Sequence, residues 1–241
     1  MLRLAALLSL LLPSAAWATP CKTLPFEGAS VVACEVGLEQ DLRLFHSGPS
    51  GPLGSFGAVN DMLAAEGKQL GFAMNAGMYH ADRAPVGLFI EKGRVQTELV
   101  TAEGPGNFGL LPNGVFCIAD RFAVIESRRF AASAPACRYA SQSGPMIVID
   151  GMLHPRLIPD SDSLYIRNGV GVSADGRRAV FVISNDRVNF HRFARFFRDA
   201  LGLPNALYFD GKISRLFAPA LGRNDMGFAM GPIVGTVVSK D

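Results

Sequence analysis

Short apolar runs separated by glycine, asparagine, aspartate and proline fill most of this 241-residue chain. Examples are "GLFIEKGRVQTELV", "NGVFCIADRFAVIES", "GPMIVIDGMLHP", "GVGVSADGRRAVFVIS" and "GPIVGTVV". Runs of this length predict β-strands joined by tight turns, with Lys92-Gly93 and Asp175-Gly176 at two of the turns. The fold is therefore expected to consist mainly of sheets.

Two segments have helical spacing instead. Between residues 56 and 65 the apolar Phe56, Val59 and Leu63 share one face, and Gly67 is placed to end the helix. The segment "NFHRFARFFRDAL" begins at Asn189, a suitable N-cap, and is followed by the terminator Gly202. Its apolar face comprises Phe190, Phe193, Ala194, Phe197 and Leu201.

Each predicted helix is followed at once by an apolar strand. No linker or low-complexity run divides the chain. We therefore predict an α+β fold, a single domain in which a few helices pack on a twisted mixed β-sheet system.

The first residues, "MLRLAALLSLLLPSAAWATPC", carry one cation, an apolar stretch and the triplet Ala16-Trp17-Ala18. This pattern predicts a secretory signal peptide over residues 1–18, which is too short to span a membrane stably. The mature domain would be residues 19–241, in the periplasm or secreted, and no later segment is apolar enough to predict a membrane span.

The chain has four cysteines. In an exported protein this even number predicts two disulfides, with three possible connectivities. The pairs nearest in sequence, Cys21 with Cys34 and Cys117 with Cys137, are the expectation. No C-x-x-C pair occurs and the histidines are scattered, so neither a metal site nor a cofactor is predicted.

Several function classes are disfavoured. The formal net charge of +2 gives no basic excess of the kind that nucleic-acid partners require. "GPGNFG", residues 104–109, matches a dinucleotide fingerprint, but Pro105 interrupts it and a strand-like run follows. Phosphate-binding P-loop, H-E-x-x-H and G-x-S-x-G motifs are absent from the sequence.

Polar residues stand at the ends of four apolar runs, in "AMNAGMYH", "SQSGPMIVIDG", "LYIRNGVGV" and "LYFDGKIS". Each has an ordinary structural interpretation, since Asn-x-Gly and Asp-Gly form turns and an arginine near strands is usually a surface cation. Taken in order, however, the four motifs resemble the phosphodiester glycosidase family over roughly residues 70–238. The closest resemblance is to its exported bacterial branch, which is often associated with exopolysaccharide.

The resemblance assigns individual positions. The family's Asn-Gly-Gly turn falls on Asn75-Ala76-Gly77, its Ser-Gly-x-Pro segment on Ser143-Gly144-Pro145, and its arginine on Arg167. The signature aspartate falls on Asp210-Gly211, with Lys212 where much of the family has a second glycine.

The implied chemistry is removal of a sugar from a phosphodiester. Asp210 and Arg167 are the predicted catalytic residues, with Arg167 clamping the phosphate. The predicted substrate-binding residues are Asn75, Gly77, Ser143, Gly144, Gly211 and Ser214. A second carboxylate from Asp82, Glu91, Glu98 or Glu103 stays open.

The leading interpretation is an exported glycosidase that hydrolyses a glycosyl 1-phosphodiester, such as one of N-acetylglucosamine, or a related envelope polysaccharide. The partner would be a carbohydrate or sugar-phosphate substrate. The alternative is a non-catalytic glycan-binding or exopolysaccharide-assembly protein with the same pocket. A third interpretation, a structural envelope domain, would make the motifs ordinary turns.

Overall fold

The computed structural model describes residues 21–240, so the predicted signal peptide lies outside the described residues. Nineteen strands are present in this part of the chain. In chain order they are β1 (Cys21–Phe26), β2 (Ala29–Gly37), β3 (Asp41–Phe45), β4 (Ser47–Gly48), β5 (Gly51–Pro52), β6 (Lys68–Asn75), β7 (Phe89–Glu91), β8 (Arg94–Thr97), β9 (Gly114–Ile118), β10 (Phe122–Glu126), β11 (Tyr139–Ser143), β12 (Met146–Ile149), β13 (Met152–Leu153), β14 (Asn168–Val172), β15 (Arg178–Ser184), β16 (Asn205–Asp210), β17 (Leu216–Ala218), β18 (Arg223–Asn224) and β19 (Ile233–Ser239).

Three α-helices accompany the strands: α1 (Phe56–Ala64), α2 (Ser127–Ser133) and α3 (Phe190–Arg195). A π-helical turn, Phe196–Ala200, continues α3, and a short 3-10 helix spans Pro219–Leu221. Both predicted helices are confirmed, although the π-helical turn widens the second and buries Phe196 beside Phe193 and Phe197. None of the helices among residues 21–240 has the length and apolar character that a membrane crossing needs.

The strands form one seven-stranded and two five-stranded sheets, besides the small hairpin β4-β5. The seven-stranded sheet has the order β1-β2-β15-β14-β16-β12-β13. The five-stranded sheets have the orders β18-β17-β6-β19-β3 and β10-β9-β11-β7-β8. The α+β class is therefore confirmed.

The expected mixture of parallel and antiparallel strands is not found, because every strand pairing described between residues 21 and 240 is antiparallel. The reason lies in the two helix connections. Helix α3 joins β15 to β16, which run the same way, but β14 lies between them and pairs with both. Likewise β19 lies between β3 and β6, which are joined by the small hairpin β4-β5 and α1.

The main core lies where the three large sheets meet. The ring of Phe181 on β15 lies 5.6 Å from that of Phe72 on β6 and 5.5 Å from that of Phe116 on β9, measured between centroids. On the other face of the seven-stranded sheet, α3 and its π-helical turn pack Phe193 and Phe197 into a second core. This second core includes residues of β16, the strand that ends at Asp210, and so fixes its position.

Two disulfides confirm the expected pairing. Cys21 and Cys34 are cross-strand partners that join β1 to β2, and Cys117 joins β9 to Cys137 just before β11. The first therefore attaches the edge strand β1 to its neighbour, and the second ties β9 to the segment that leads into β11.

Candidate active site

A cavity of about 570 Å³ opens at the end of β16. Its walls come from four stretches of chain, residues 78–86, 106–107, 163–165 and 208–213. Among the lining side chains that the structure describes, Asp210 is the single carboxylate and Lys212 the single cation. Tyrosine hydroxyl groups supply much of the remaining polarity, so the cavity combines one acid with aromatic and hydrogen-bonding walls.

Asp210 is the last residue of β16, directly after four fully buried residues, Ala206 to Phe209. Its Oδ1 accepts hydrogen bonds from the backbone N–H groups of Gly211 at 2.6 Å and Lys212 at 2.9 Å. Its Oδ2 accepts none from residues 21–240 and stays accessible. Burial raises the pKa of the Asp210 carboxyl, and the backbone N–H groups of Lys212, Gly211 and Ile213, together with the charge of Lys212, oppose the shift.

A buried pair of asparagines lies beneath this turn. Asn75 Nδ2 donates to Asn168 Oδ1 at 3.1 Å, and Asn168 Nδ2 donates to the backbone oxygen of Asn75 at 2.8 Å. Asn168 Oδ1 also accepts from the N–H of Asp210 at 3.2 Å. Because Asn75 ends β6 and Asn168 begins β14, the pair connects a five-stranded sheet to the seven-stranded sheet directly under Asp210.

The residues after Asp210 return to the same pair. Ser214 Oγ donates to the backbone oxygen of Asp210 at 2.8 Å, and the N–H of Arg215 donates to Asn75 Oδ1 at 3.0 Å. The predicted residues Asn75 and Ser214 therefore hold the turn of Asp210, and neither lines the cavity. Asn168, which the sequence reasoning missed, is the link between them.

Arg167 lies behind the cavity wall, with an exposed fraction of 1%. Its Nε donates to the oxygen of Val188 at 2.8 Å, Nη2 to the oxygen of Ser163 at 2.8 Å, and Nη1 to Tyr208 Oη at 3.3 Å. The guanidinium carbon lies 3.7 Å from the centroid of the Phe190 ring. Burial lowers the pKa of this guanidinium, since no carboxylate among the described residues pairs with it.

Tyr208 links Arg167 to the cavity, because its hydroxyl accepts a hydrogen bond from Arg167 Nη1 and its side chain lines the cavity. It stands two residues before Asp210 on β16, across an irregularity in the register with β14, and both side chains line the cavity. Burial raises the pKa of the Tyr208 hydroxyl, which therefore stays protonated. The predicted Gly211 packs against this hydroxyl so closely that a Cβ there would overlap it.

The remaining predicted residues support the site from a distance. Ser143 Oγ donates to the backbone oxygen of Phe209 at 3.0 Å. A Cβ on Gly144 would come within 2.7 Å of the Cβ of Asn113, and Gly77 has a φ of +154° beside Ser141. None of the three lines the cavity. The same holds for Asp82, Glu91, Glu98 and Glu103, the candidates for a second carboxylate.

Three tyrosines that the sequence reasoning missed line the cavity, Tyr79, Tyr165 and Tyr208. Tyr208 lies in the motif "LYFDGKIS", two residues before Asp210, so its closeness in sequence could have found it. Tyr79 Oη donates to the oxygen of Ala229 at 3.0 Å, and the pKa of its hydroxyl is raised by burial and by the charge of Asp210. Tyr79 lies in the motif "AMNAGMYH", two residues after Gly77, but the sequence does not show that it faces Asp210, a residue far along the chain.

Comparison with known proteins places the chain in one family. A family model described as phosphodiester glycosidase matches residues 68–227. The uncharacterized protein YigE of Escherichia coli (strain K12) is 38% identical over 167 residues, which make up 68% of this chain. The match spans 65% of YigE, slightly less than two thirds of its length.

Among solved structures, the fold is similar to the catalytic domain of zebrafish N-acetylglucosamine-1-phosphodiester alpha-N-acetylglucosaminidase, auto-inhibited by its pro-peptide. The TM-score is 0.61 with 13% sequence identity, and the superposition covers 90% of this chain and 81% of the zebrafish chain. At this identity the likeness shows a common fold.

Proposed function

Because this chain belongs to the phosphodiester glycosidase family, we propose that it hydrolyses the bond between the anomeric carbon of a sugar and a phosphodiester, with Asp210 as the reacting carboxylate. The observation that carries the proposal is the position of Asp210, the single carboxylate among the described residues that line the cavity. The name of the zebrafish neighbour makes N-acetylglucosamine the first sugar to test.

One carboxylate is sufficient for this reaction. A phosphomonoester is a weak base and leaves without being protonated, so the acid that most glycosidases use on the leaving group is not needed. Asp210 takes a proton from water while the water oxygen bonds to the anomeric carbon. The bond from that carbon to the phosphate oxygen breaks, and its electron pair leaves with the phosphomonoester.

The surroundings of Asp210 suit this role. The raised pKa of the carboxyl group makes it a stronger base, which helps a group that takes a proton in the transition state. Its accessible Oδ2 is available to the water, while the Gly211 and Lys212 N–H groups fix Oδ1. In this proposal the hydroxyl groups of Tyr79 and Tyr208, which line the cavity, orient sugar oxygens.

The predicted phosphate contact of Arg167 becomes an indirect role in this proposal. Its donors already bind Val188, Ser163 and Tyr208, so it acts as a positioning residue that orients the Tyr208 hydroxyl. Asn75 and Ser214 position the turn of Asp210, and Ser143 binds the backbone next to it. The three predicted glycines keep these segments close together.

We further propose that the protein works outside the cytoplasm, on an envelope or secreted glycan. Two disulfides are typical of oxidising compartments. The signal peptide predicted for residues 1–18 would direct the export.

The test is hydrolysis of a panel of sugar 1-phosphodiesters by the purified mature protein, beginning with N-acetylglucosamine. Asp210→Asn should fold normally, because asparagine retains the oxygen that accepts from Gly211 and Lys212. It should lose turnover by about a hundredfold or more, the scale of a positioned proton-transfer group.

A folded Asp210→Asn protein with wild-type turnover would refute the role of the carboxylate. Binding of the glycans without turnover by the wild type would favour the alternative function, a non-catalytic glycan-binding protein. Circular dichroism of both proteins controls for folding.

A further inference from the structure

Three cationic side chains lie near the turn of Asp210, and in two of them every guanidinium nitrogen donates to a protein oxygen. The donors of Arg167 bind two backbone oxygens and Tyr208. Arg215 is 8% exposed, with Nε and Nη2 donating to the oxygen of Asp225 and Nη1 to that of Phe228. Both guanidinium groups therefore fix backbone segments.

Lys212 differs from both arginines. It lines the cavity, is exposed, and its ammonium group forms no hydrogen bond or ion pair with any described residue. The backbone beside it is fixed, since its N–H donates to Asp210 Oδ1 at 2.9 Å. The charge of Lys212 also acts on Asp210, whose pKa it lowers against the larger effect of burial. The ammonium is thus near the reacting carboxyl and free to bind an anion.

The position matters because the family motif that this sequence resembles commonly has a glycine there, which supplies no charge. A lysine provides a compact positive charge with three donors on a flexible stem, so it can follow an oxygen anion inside an open cavity. Cleavage of a phosphodiester converts a phosphate with one negative charge into a phosphomonoester that gains a second. A nearby cation binds the second state more tightly.

From these observations, and resting on the proposed function, we infer that Lys212 is the phosphate-binding group of this site and makes the enzyme selective for leaving groups that carry a phosphate. The anion lies beside Asp210, on the side of the turn from which the lysine side chain extends. The phosphomonoester product is bound more strongly than the diester substrate.

The test measures binding of phenyl phosphate to the mature protein by titration calorimetry, because this probe contains the phosphomonoester without a sugar. Lys212→Met removes the charge at similar volume and should weaken binding about fivefold to tenfold at low ionic strength, as expected for a partly exposed charge pair. Lys212→Arg should stay within about threefold of the wild type. The matched control is Lys22→Met, which changes an exposed lysine on β1 far from the cavity and should bind like the wild type.

Salt provides an independent measurement. The difference in phenyl phosphate affinity between wild type and Lys212→Met should become smaller at high ionic strength, because salt screens an exposed charge pair. Equal affinity of wild type and Lys212→Met at low salt would overturn the inference, as would a wild type that does not bind phenyl phosphate.

Failure of the proposed function gives a different result. A protein that hydrolyses no sugar 1-phosphodiester but binds phenyl phosphate through Lys212 refutes the reaction and retains the phosphate site. A protein that hydrolyses the panel with unchanged phenyl phosphate affinity in Lys212→Met refutes the phosphate site alone.

Discussion

The dipeptide Asp-Gly forms a turn at residues 175–176 and another at residues 210–211. The two turns have similar local hydrogen bonds, but their surroundings differ. Asp175 Oδ1 accepts from Ser173 Oγ at 2.6 Å and from the N–H of Arg177 at 3.0 Å. Asp210 Oδ1 likewise accepts from two groups close in sequence, Gly211 and Lys212. Both aspartates therefore satisfy the chemistry of a turn former.

Their surroundings separate them. Asp175 is exposed in the hairpin between β14 and β15, and the bond from Ser173 lowers the pKa of its carboxyl. Asp210 lies in the cavity, where burial raises the pKa of its carboxyl. The dipeptide thus specifies a turn, while the packing around it decides whether the carboxylate is a solvated acid or one that lines a cavity with a raised pKa.

The largest expected contrast is in turnover. Asp210→Asn and Asp175→Asn each replace a carboxylate by an amide within an intact turn. Only the first should lose turnover, so the two variants should differ by about a hundredfold or more in kcat on a sugar 1-phosphodiester. Equal activities would show that burial does not distinguish the two turns.

Adding a methyl group to each glycine should give the next largest contrast. Gly211→Ala forces the added carbon into the Tyr208 hydroxyl, which should disturb its bond to Arg167 and reduce turnover about tenfold or more. Gly176 has a φ of +69°, and an added Cβ would lie 2.8 Å from the oxygen of Phe122.

Gly176→Ala should therefore lower the free energy of unfolding by about 1–2 kcal/mol without changing the turnover of the folded protein. Kinetics and urea unfolding of both variants measure the contrast. A loss of turnover in Gly176→Ala equal to that in Gly211→Ala would contradict it.

The side chains that hold the two turns should also contribute differently to the free energy of unfolding. Asn168→Ala removes the buried partner of Asn75 and of the Asp210 N–H, and should cost about 1–3 kcal/mol in the free energy of unfolding. Ser173→Ala removes a side-chain hydroxyl from an exposed hairpin and should cost about 0.5–1 kcal/mol. Urea unfolding of both variants tests this difference, and a cost for Asn168→Ala no larger than that for Ser173→Ala would contradict the stronger support of the Asp210 turn.

The smallest expected contrast is the pH dependence of stability. Because burial raises the pKa of Asp210 in the folded protein, ionising this carboxyl costs folding free energy, and the cost develops as the pH rises from the usual pKa through the folded pKa. For Asp175 the folded pKa is lowered, so its ionised form contributes stability that is lost as the pH falls through the folded pKa.

At about pH 7, Asp210→Asn should therefore be more stable than the wild type and Asp175→Asn less stable, and both differences should shrink towards about pH 3. Urea unfolding at the two pH values gives the signs. A destabilised Asp210→Asn at neutral pH would contradict the assignment of a buried, costly charge.

Much of the fold could be predicted from local pattern. The spacing of Phe56, Val59 and Leu63 predicted α1, and turn residues such as Lys92-Gly93 predicted hairpins. Strand order could not be predicted, because it depends on contacts between residues far apart, such as β19 pairing with β3 and β6. For this reason the predicted mixed sheet system was wrong in its parallel part, since an intervening strand separates the strands that each helix connects.

The site was predicted unevenly for the same physical reason. Asp210 and Gly211 could be singled out because they end an apolar run, and they do line the cavity. Arg167 was expected to contact the phosphate, since the sequence does not show that Phe190 and Tyr208 enclose its guanidinium. Asn168 stands next to Arg167, yet its importance depends on Asn75, a residue on another sheet.

The cavity is composed of four stretches of chain that extend from residue 78 to residue 213, so it exists only when the sheets are assembled together. A ligand that occupies it binds the native state and not the unfolded chain. Binding is therefore thermodynamically linked to global unfolding, and a ligand at a hundred times its Kd would add about 2.7 kcal/mol to the unfolding free energy. Heat resistance of the whole domain thus becomes a detector for the proposed glycan ligand, and it responds to binding whether or not the ligand is cleaved.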